Sequence, residues 1–540
     1  MKRIIYYNGQ IITMEEQQPN AEAILIEDGR ISEVGTNVDI LTFKDADTIL
    51  INLDNKTVLP GFIDSHSHIS SIAFTMLMVN VAPSPFGKCN SIQDLVEVLR
   101  EAFKEERPQK TEWMIGQGYN NLHFEGGEHP TKYDLNKIST SIPIMVLDIS
   151  GHCAVCNSPA LKEFGYSGER FYVPSGGVVE QVKGDTTGLI KDNALLDTNV
   201  IPLPSFDKVV RSFKKAIAQY TSYGITTAQD SKTGIIEYFL LKKLAQMGLF
   251  QIDIVSYVSR EASDKVLSKF ANPLTQYENH YRIGGYKLLL DGSPQTKTAW
   301  LSKPYYVVPE GKADNYRGFP LRTDEEVLEA CKICIENNWQ MNAHCNGDAA
   351  SEQYIEAYTN ALKETKSETK LRPVMVHAQI VRDEQLDRMK EIDMIPTFFL
   401  DHVYYGGDYH YESVLGLERA NRMSPLKSAM EREMKFTLHQ DAPVVPPNVI
   451  FSVHNAVNRT TKGGRVLGEE QIIPVEEALK AVTIYAAYQI FEENNKGSIK
   501  PGKLADFVIL DQNPNLVEKS KIKDIQILET IKEGNSVYKK

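Results

Sequence analysis

Apolar and polar residues alternate with a period of two at both ends of the chain. "RIIYYNGQIITM", "AEAILIEDGRISEVG" and "TILINLDNKTVLP" near the start, and "GSIKPGKLADFVILDQ" and "ETIKEGNSVYKK" near the end, are broken by Asn, Gly and Pro. That pattern predicts short strands joined by turns. The two ends are expected to pack as one small composite β domain, residues 1–60 with 465–540. Between them, apolar β-rich runs alternate with helical stretches: "GFIDSHSH", "GITTAQD", "FQIDIVSYVS", "YRIGGYKLLLDG", "NWQMNAHCNGD", "RPVMVHAQ", "DMIPTFFLD" and "MKFTLHQD". Strands alternating with helices imply an α/β fold with a parallel sheet, and eight such units imply a (β/α)8 TIM barrel over residues 61–464. The stretch from about 70 to 205 is too long for a connection and reads as an inserted subdomain.

Barrel active sites form at the C-terminal strand ends, so the residues there carry the functional reading. The first run ends in His66 and His68, with only Ser67 between them. Alternate residues of a strand share a face, so the two imidazoles are expected to point into one space. The fifth run ends in His344, the sixth in His377 and the eighth in Asp441. Singly, each has a plain structural reading: a lone histidine is often a satisfied core residue, and Asp441 fits a helix cap. Lys287 is harder to place, because its neighbours Tyr286, Leu288, Leu289 and Leu290 make an unpaired ammonium costly. Together, four histidines and a carboxylate at successive strand ends suit zinc or another divalent metal ion.

Composition narrows the class. The chain has 540 residues, 42% of them hydrophobic, and a formal net charge of −12, which argues against a nucleic-acid partner. A small, uncharged or variably charged substrate is expected instead. "MKRIIYYNGQIITMEE" meets polar residues before any signal-length apolar run forms, and no stretch reads as a membrane span, so the expected location is cytoplasmic. The cysteines, Cys89, Cys153, Cys156, Cys331, Cys334 and Cys345, suit reduced thiols. Cys331 and Cys334 lie in the helical "EEVLEACKICIENN", where core packing outweighs a zinc ribbon. His123 and His129 read as residues of a surface loop or of the insertion.

The motifs "LPGFIDSHSHI", "DISGHCAVCNSPAL", "TTGLIKDNA", "GYKLLLDGSPQTKTAWL", "MNAHCNGDAA", "MVHAQIV", "HQDAPV" and "GSIKPGKLADFVIL" cover essentially the whole chain. This set resembles the amidohydrolase superfamily, in the branch of YtcJ-like hydrolases and N-substituted formamide deformylase. The resemblance implies that His66, His68, Lys287, His344, His377 and Asp441 hold one or two metal ions per chain, with Lys287 carboxylated by CO₂ and bridging them. It implies that the terminal β domain is a β-sandwich built from both chain ends, marked by "KPGKLADFVIL", and it implies water-driven hydrolysis in which Asp441 is the catalytic proton acceptor. Where family members often carry Gly-Ser before that aspartate, this chain has His439 and Gln440, which implies an altered pocket wall. His152, Asn157, Asp291, His402 and Arg459 are candidate substrate contacts, and Asp291 with Gly292 also reads as a simple turn. The expected reaction is cleavage of a C–N bond, most simply an exocyclic amide such as an N-substituted formamide, in a small molecule. A cyclic amidase, a deaminase, or a non-catalytic binding protein that keeps the barrel stays open as an alternative, as does a homodimer.

Overall fold

The computed structural model describes residues 2–84, 87–106, 108, 112–149, 153–168, 170–175, 177–196, 204–267, 276–368 and 370–540. The chain divides into two compact units, one of residues 1–69 with 217–540 and one of residues 70–216.

In the first unit the eight apolar runs form one sheet in chain order. Its strands are Phe62–Ile63, Ile225–Thr233, Asp253–Ser259, Tyr281–Leu289, Gln340–Cys345, Val374–His377, Ile395–Phe398 and Thr437–Leu438. All neighbours are parallel, as in Leu289 beside His344 and Cys345 beside His377. Helices cover such strands, which explains why Asp253–Ser259 and Val374–His377 are buried along their whole length. The sheet curls: just past the first strand, the Ser65 hydroxyl donates to the Leu438 carbonyl of the last at 2.9 Å.

The covering helices begin where the sequence supplies caps. Thr323 accepts from the Glu326 amide, and the Glu326 side chain returns the bond, starting Asp324–Glu336. Cys331 and Cys334 are buried in that helix, and Cys331 Sγ lies 3.7 Å from Met341 Sδ. All six cysteines are free and buried. None of them lies in a cluster of His, Cys, Asp and Glu able to hold a metal among the described residues.

The terminal strands form two further sheets. One has four strands, Arg3–Tyr7, Ala23–Glu27, Arg30–Gly35 and Ile49–Asn52. The other has six and joins Gln10–Ile12 and Thr57–Pro60 to Phe507–Leu510, Ile527–Lys532 and Asn535–Lys539. Ile4, Tyr6 and Ile26 of one sheet share a core with Val58, Phe507 and Ile531 of the other. Residue 465 is too early a boundary for this part. The stretch after it holds the helices Val475–Ala481 and Ile484–Gln489, and Ala486, Ala487 and Ile490 pack on Ile63, Val255 and Tyr257 of the parallel sheet. Their apolar spacing of three and four is helical, whereas the period of two resumes only at Phe507.

The second unit is a six-stranded mixed sheet packed on the helix Ile92–Glu106, with Leu95, Leu99, Met114, Val146 and Val155 in its core. Among the described residues no helix is long and apolar enough to cross a membrane.

Candidate active site

His66 and His68 do not sit on the strand itself, which ends at Ile63. The chain bends beyond it and is tied down on both sides. Ser67 Oγ donates to the Gln229 carbonyl at 3.2 Å, the Ser231 amide donates to the Ser67 carbonyl at 2.9 Å, and the His68 amide donates to the Ala442 carbonyl at 2.9 Å. The two imidazoles still converge, but through these ties rather than through the pleat of a strand. Their Nε2 atoms lie 3.4 and 3.1 Å from the same oxygen, Asp441 Oδ1. His377 Nε2 lies 3.9 Å from the other oxygen, Oδ2. His66, His68 and Asp441 offer ligand atoms all within 4.8 Å of one another, a spacing that fits one metal ion.

His377 and Asp441 both have left-handed backbone, φ 72° and 54°. Residues other than glycine rarely adopt it, and such strain persists where surrounding structure over-determines it, often at functional sites. His344 stands beside His377, with ring centroids 4.7 Å apart. Lys287 is 3% exposed, and its Nζ has no hydrogen-bond partner. Burial pulls its pKa down to about 7, against the attraction of the Asp441 charge. Burial also lowers the His66 and His377 pKa values well below the ordinary range, so both rings are neutral near pH 7, the form that ligates metal. For Asp441, burial acts to raise the pKa, but the hydrogen bonds from His66 and His68 and the surrounding imidazoles hold it well below the usual carboxylate range.

Two expected substrate contacts are committed elsewhere. Asn157 Oδ1 accepts from the amides of Ile144 and Ala160, and its Nδ2 donates to the carbonyls of Ser139 and Ile142, at 2.8–3.0 Å. Those four bonds use its whole capacity, and they cap the helix Ser158–Glu163. Arg459 is fully buried at the C-terminal end of the helix Val449–Asn458, and its guanidinium donates to the carbonyls of Met423, Ser424 and Leu467. Asp291 is also an anchor rather than a substrate contact, because its carboxylate accepts from the amides of Trp300, Asn346 and Gly347. Its Oδ1 lies 3.2 Å from His344 Nδ1 without making a hydrogen bond to it. His402 packs on Phe399, with ring centroids 4.0 Å apart, and its Nδ1 meets the Gln295 amide nitrogen. Phe399 in turn stacks on His439. His152 lies outside the described residues. His439, expected only as pocket wall, and Thr397 and Ser65, which no sequence signal marks, are buried polar residues; of the three, His439 touches the cluster, at His377 and His66.

A family model described as the amidohydrolase family matches residues 50–538. The chain belongs to that family. This amidohydrolase is 25% identical to the YtcJ protein of Bacillus subtilis (strain 168), over 100% of both chains. It is 23% identical to N-substituted formamide deformylase of Arthrobacter pascens, over 100% of this chain and 99% of that one. Among solved structures, a metal-dependent hydrolase from Pyrococcus horikoshii OT3 aligns with a TM-score of 0.76 at 23% identity, over 96% of this amidohydrolase and 99% of that chain.

Proposed function

We propose that the protein is a metal-dependent hydrolase of a small-molecule C–N bond, most simply an exocyclic amide of the N-substituted formamide class. In this reading the eight-stranded sheet closes as a (β/α)8 barrel, with the cluster at its C-terminal rim. The observation that carries it is the setting of Asp441: a carboxylate faced by the Nε2 atoms of His66, His68 and His377. Those donors fit zinc or another divalent ion, in a one- or two-metal site completed by His344 and Lys287. Such an ion, when bound, polarises a carbonyl and makes water acidic enough to attack near pH 7. Asp441 takes the proton of the attacking water and returns it to the leaving nitrogen, so the C–N bond breaks to an acid and an amine. The likeness to the formamide deformylase of Arthrobacter pascens supports a formamide as the first substrate to try.

Lys287 fits the same reading as a carbamate. Its neutral amine adds to CO₂ and releases one proton, and the resulting anion supplies oxygen donors where an ammonium would repel metal ions. ¹³C-bicarbonate labelling tests this directly: a carbamate signal is expected at Lys287, and a bare amine beside a fully loaded metal site overturns it. For the function, metal analysis of the purified protein is combined with assays on N-substituted formamides, N-acyl amines and cyclic amides. Bound divalent metal with formamide turnover is expected. Loaded protein inert towards formamides and N-acyl amines but active on a cyclic amide overturns the substrate class, and protein that takes up no divalent metal overturns the whole reading.

A further inference from the structure

A chain of buried hydrogen bonds runs from a backbone carbonyl to the ring of His377. Ser65 Oγ donates to the Leu438 carbonyl at 2.9 Å and lies 3.1 Å from Thr397 Oγ1. Thr397 Oγ1 lies 3.0 Å from His439 Nδ1, and His439 Nε2 lies 3.1 Å from His377 Nδ1. Ser65, Thr397, Leu438 and His439 are each at most 1% exposed and His377 is 4% exposed, so these groups satisfy one another.

Only one direction of donation is consistent with these contacts. A carbonyl only accepts, so the single Ser65 proton goes to Leu438, and the bond between Ser65 and Thr397 must use the Thr397 proton. Thr397 then accepts from His439, which therefore carries its proton on Nδ1. His439 Nε2 is left with a lone pair and accepts from Nδ1–H of His377. His377 Nε2, the atom facing Asp441, is thereby left unprotonated and free to ligate. The reverse direction would put the His377 proton on Nε2, aimed at Asp441, and that proton would have to leave before the atom could ligate.

We propose that Ser65, Thr397 and His439 are positioning residues that fix His377 in the Nδ1–H tautomer and so prepare its Nε2 to bind the metal. This rests on the metal-site reading above, although the tautomer itself is a property of the metal-free chain. Partners of this kind orient a ligand imidazole, and losing one typically weakens metal affinity by roughly 10- to 100-fold.

The test uses the full-length protein with ¹⁵N-labelled histidine. In the metal-free wild type, ring nitrogen resonances should show His377 and His439 both protonated on Nδ1. Zn²⁺ affinity is then measured by chelator competition for wild type, Thr397→Val and Thr397→Ser. Val keeps the shape without the hydroxyl, so affinity should fall by roughly 10- to 100-fold and the single His377 tautomer should be lost. Ser restores the hydroxyl and should restore both. Ser65→Ala should move both readouts in the same direction as Val, which covers the case of a poorly folded Val variant. A His377 proton on Nε2 in the wild type, or Val and Ala variants that keep wild-type affinity and tautomer, overturns the inference while leaving the metal site standing. Wild type that binds no metal, but shows the expected tautomers, overturns the metal reading instead.

Discussion

Asp441 and Asp253 both sit in polar clusters of the parallel-sheet unit, at opposite ends of its strands. Asp441 follows the C-terminal end of the eighth strand, whereas Asp253 opens the third. Each stands in a group whose spacing would suit a metal, His66 and His68 with Asp441, and His280 and Glu533 with Asp253. Their electrostatics differ. Around Asp253 the cations are already built in: Asp253 Oδ2 lies 2.5 Å from Lys496 Nζ and 2.8 Å from Lys532 Nζ. Lys532 also pairs with Asp506 and Glu533 at 3.0 Å. Burial acts to raise the Asp253 pKa, but the two ammoniums and His280 hold it well below the usual carboxylate range. Around Asp441 stand the imidazoles of His66, His68 and His377, burial holding the first and last neutral near pH 7, and the nearby Lys287 Nζ has no hydrogen-bond partner. The Asp253 cluster contains its own cations, whereas the Asp441 cluster is built from imidazoles, which under the proposed function would share a metal ion.

The strongest break of this comparison is the double change His66→Ala with His68→Ala. Metal content and turnover should both vanish while the urea midpoint of the metal-free protein stays near wild type; full metal retention removes these ligands from the site. Next comes Asp253→Asn, which takes from the buried Lys496 and Lys532 the carboxylate they share and should cost about 3–5 kcal/mol of stability, the usual scale for breaking a buried ion pair from one side. Denaturant unfolding measures it, and a loss below about 1 kcal/mol would show that this network does not hold the fold. Asp441→Asn should lower kcat by roughly 10² or more, the scale of a lost general base, yet leave the metal-free protein as stable as wild type. Near-normal kcat would take Asp441 out of proton transfer.

The smallest effect is expected at His280. Its hydrogen bond to Asp253, 2.8 Å long, raises its pKa above the ordinary value near 6.5, against the effect of burial. The stability it adds is therefore fully present below about pH 6.5 and is lost as pH rises through the elevated folded value. His280→Gln should be destabilising by up to about 1 kcal/mol at pH 6 and nearly neutral at pH 9. A penalty that grows with pH would reverse the sign of this coupling.

The legible part of the molecule was set by local pattern. All eight runs became strands of one sheet, and Lys287, His344 and His377 lie on the strands where their runs placed them. Periodicity is readable because a pleat or a helical turn is fixed by backbone geometry within a few residues. That Asn157 and Arg459 hydrogen-bond to the backbone was not legible, because a polar side chain looks the same in sequence whether it meets a ligand or a backbone group. Their partners are set by which loops the fold brings past them, as when Met423 and Ser424 reach Arg459 from 36 and 35 residues away.

By itself, then, the sequence determined the strand order, the terminal β segments and a set of metal-type side chains near strand ends. Only the tertiary structure decided which of these meet. His68 reaches Asp441 across 373 residues, and Ser65 reaches Leu438 across the same separation. His439 became the neighbour of His377 rather than part of a pocket wall because the sixth and eighth strands flank the seventh. Donor and acceptor pairing over such separations depends on the curl of the whole sheet, and short-range periodicity carries no information about that curl.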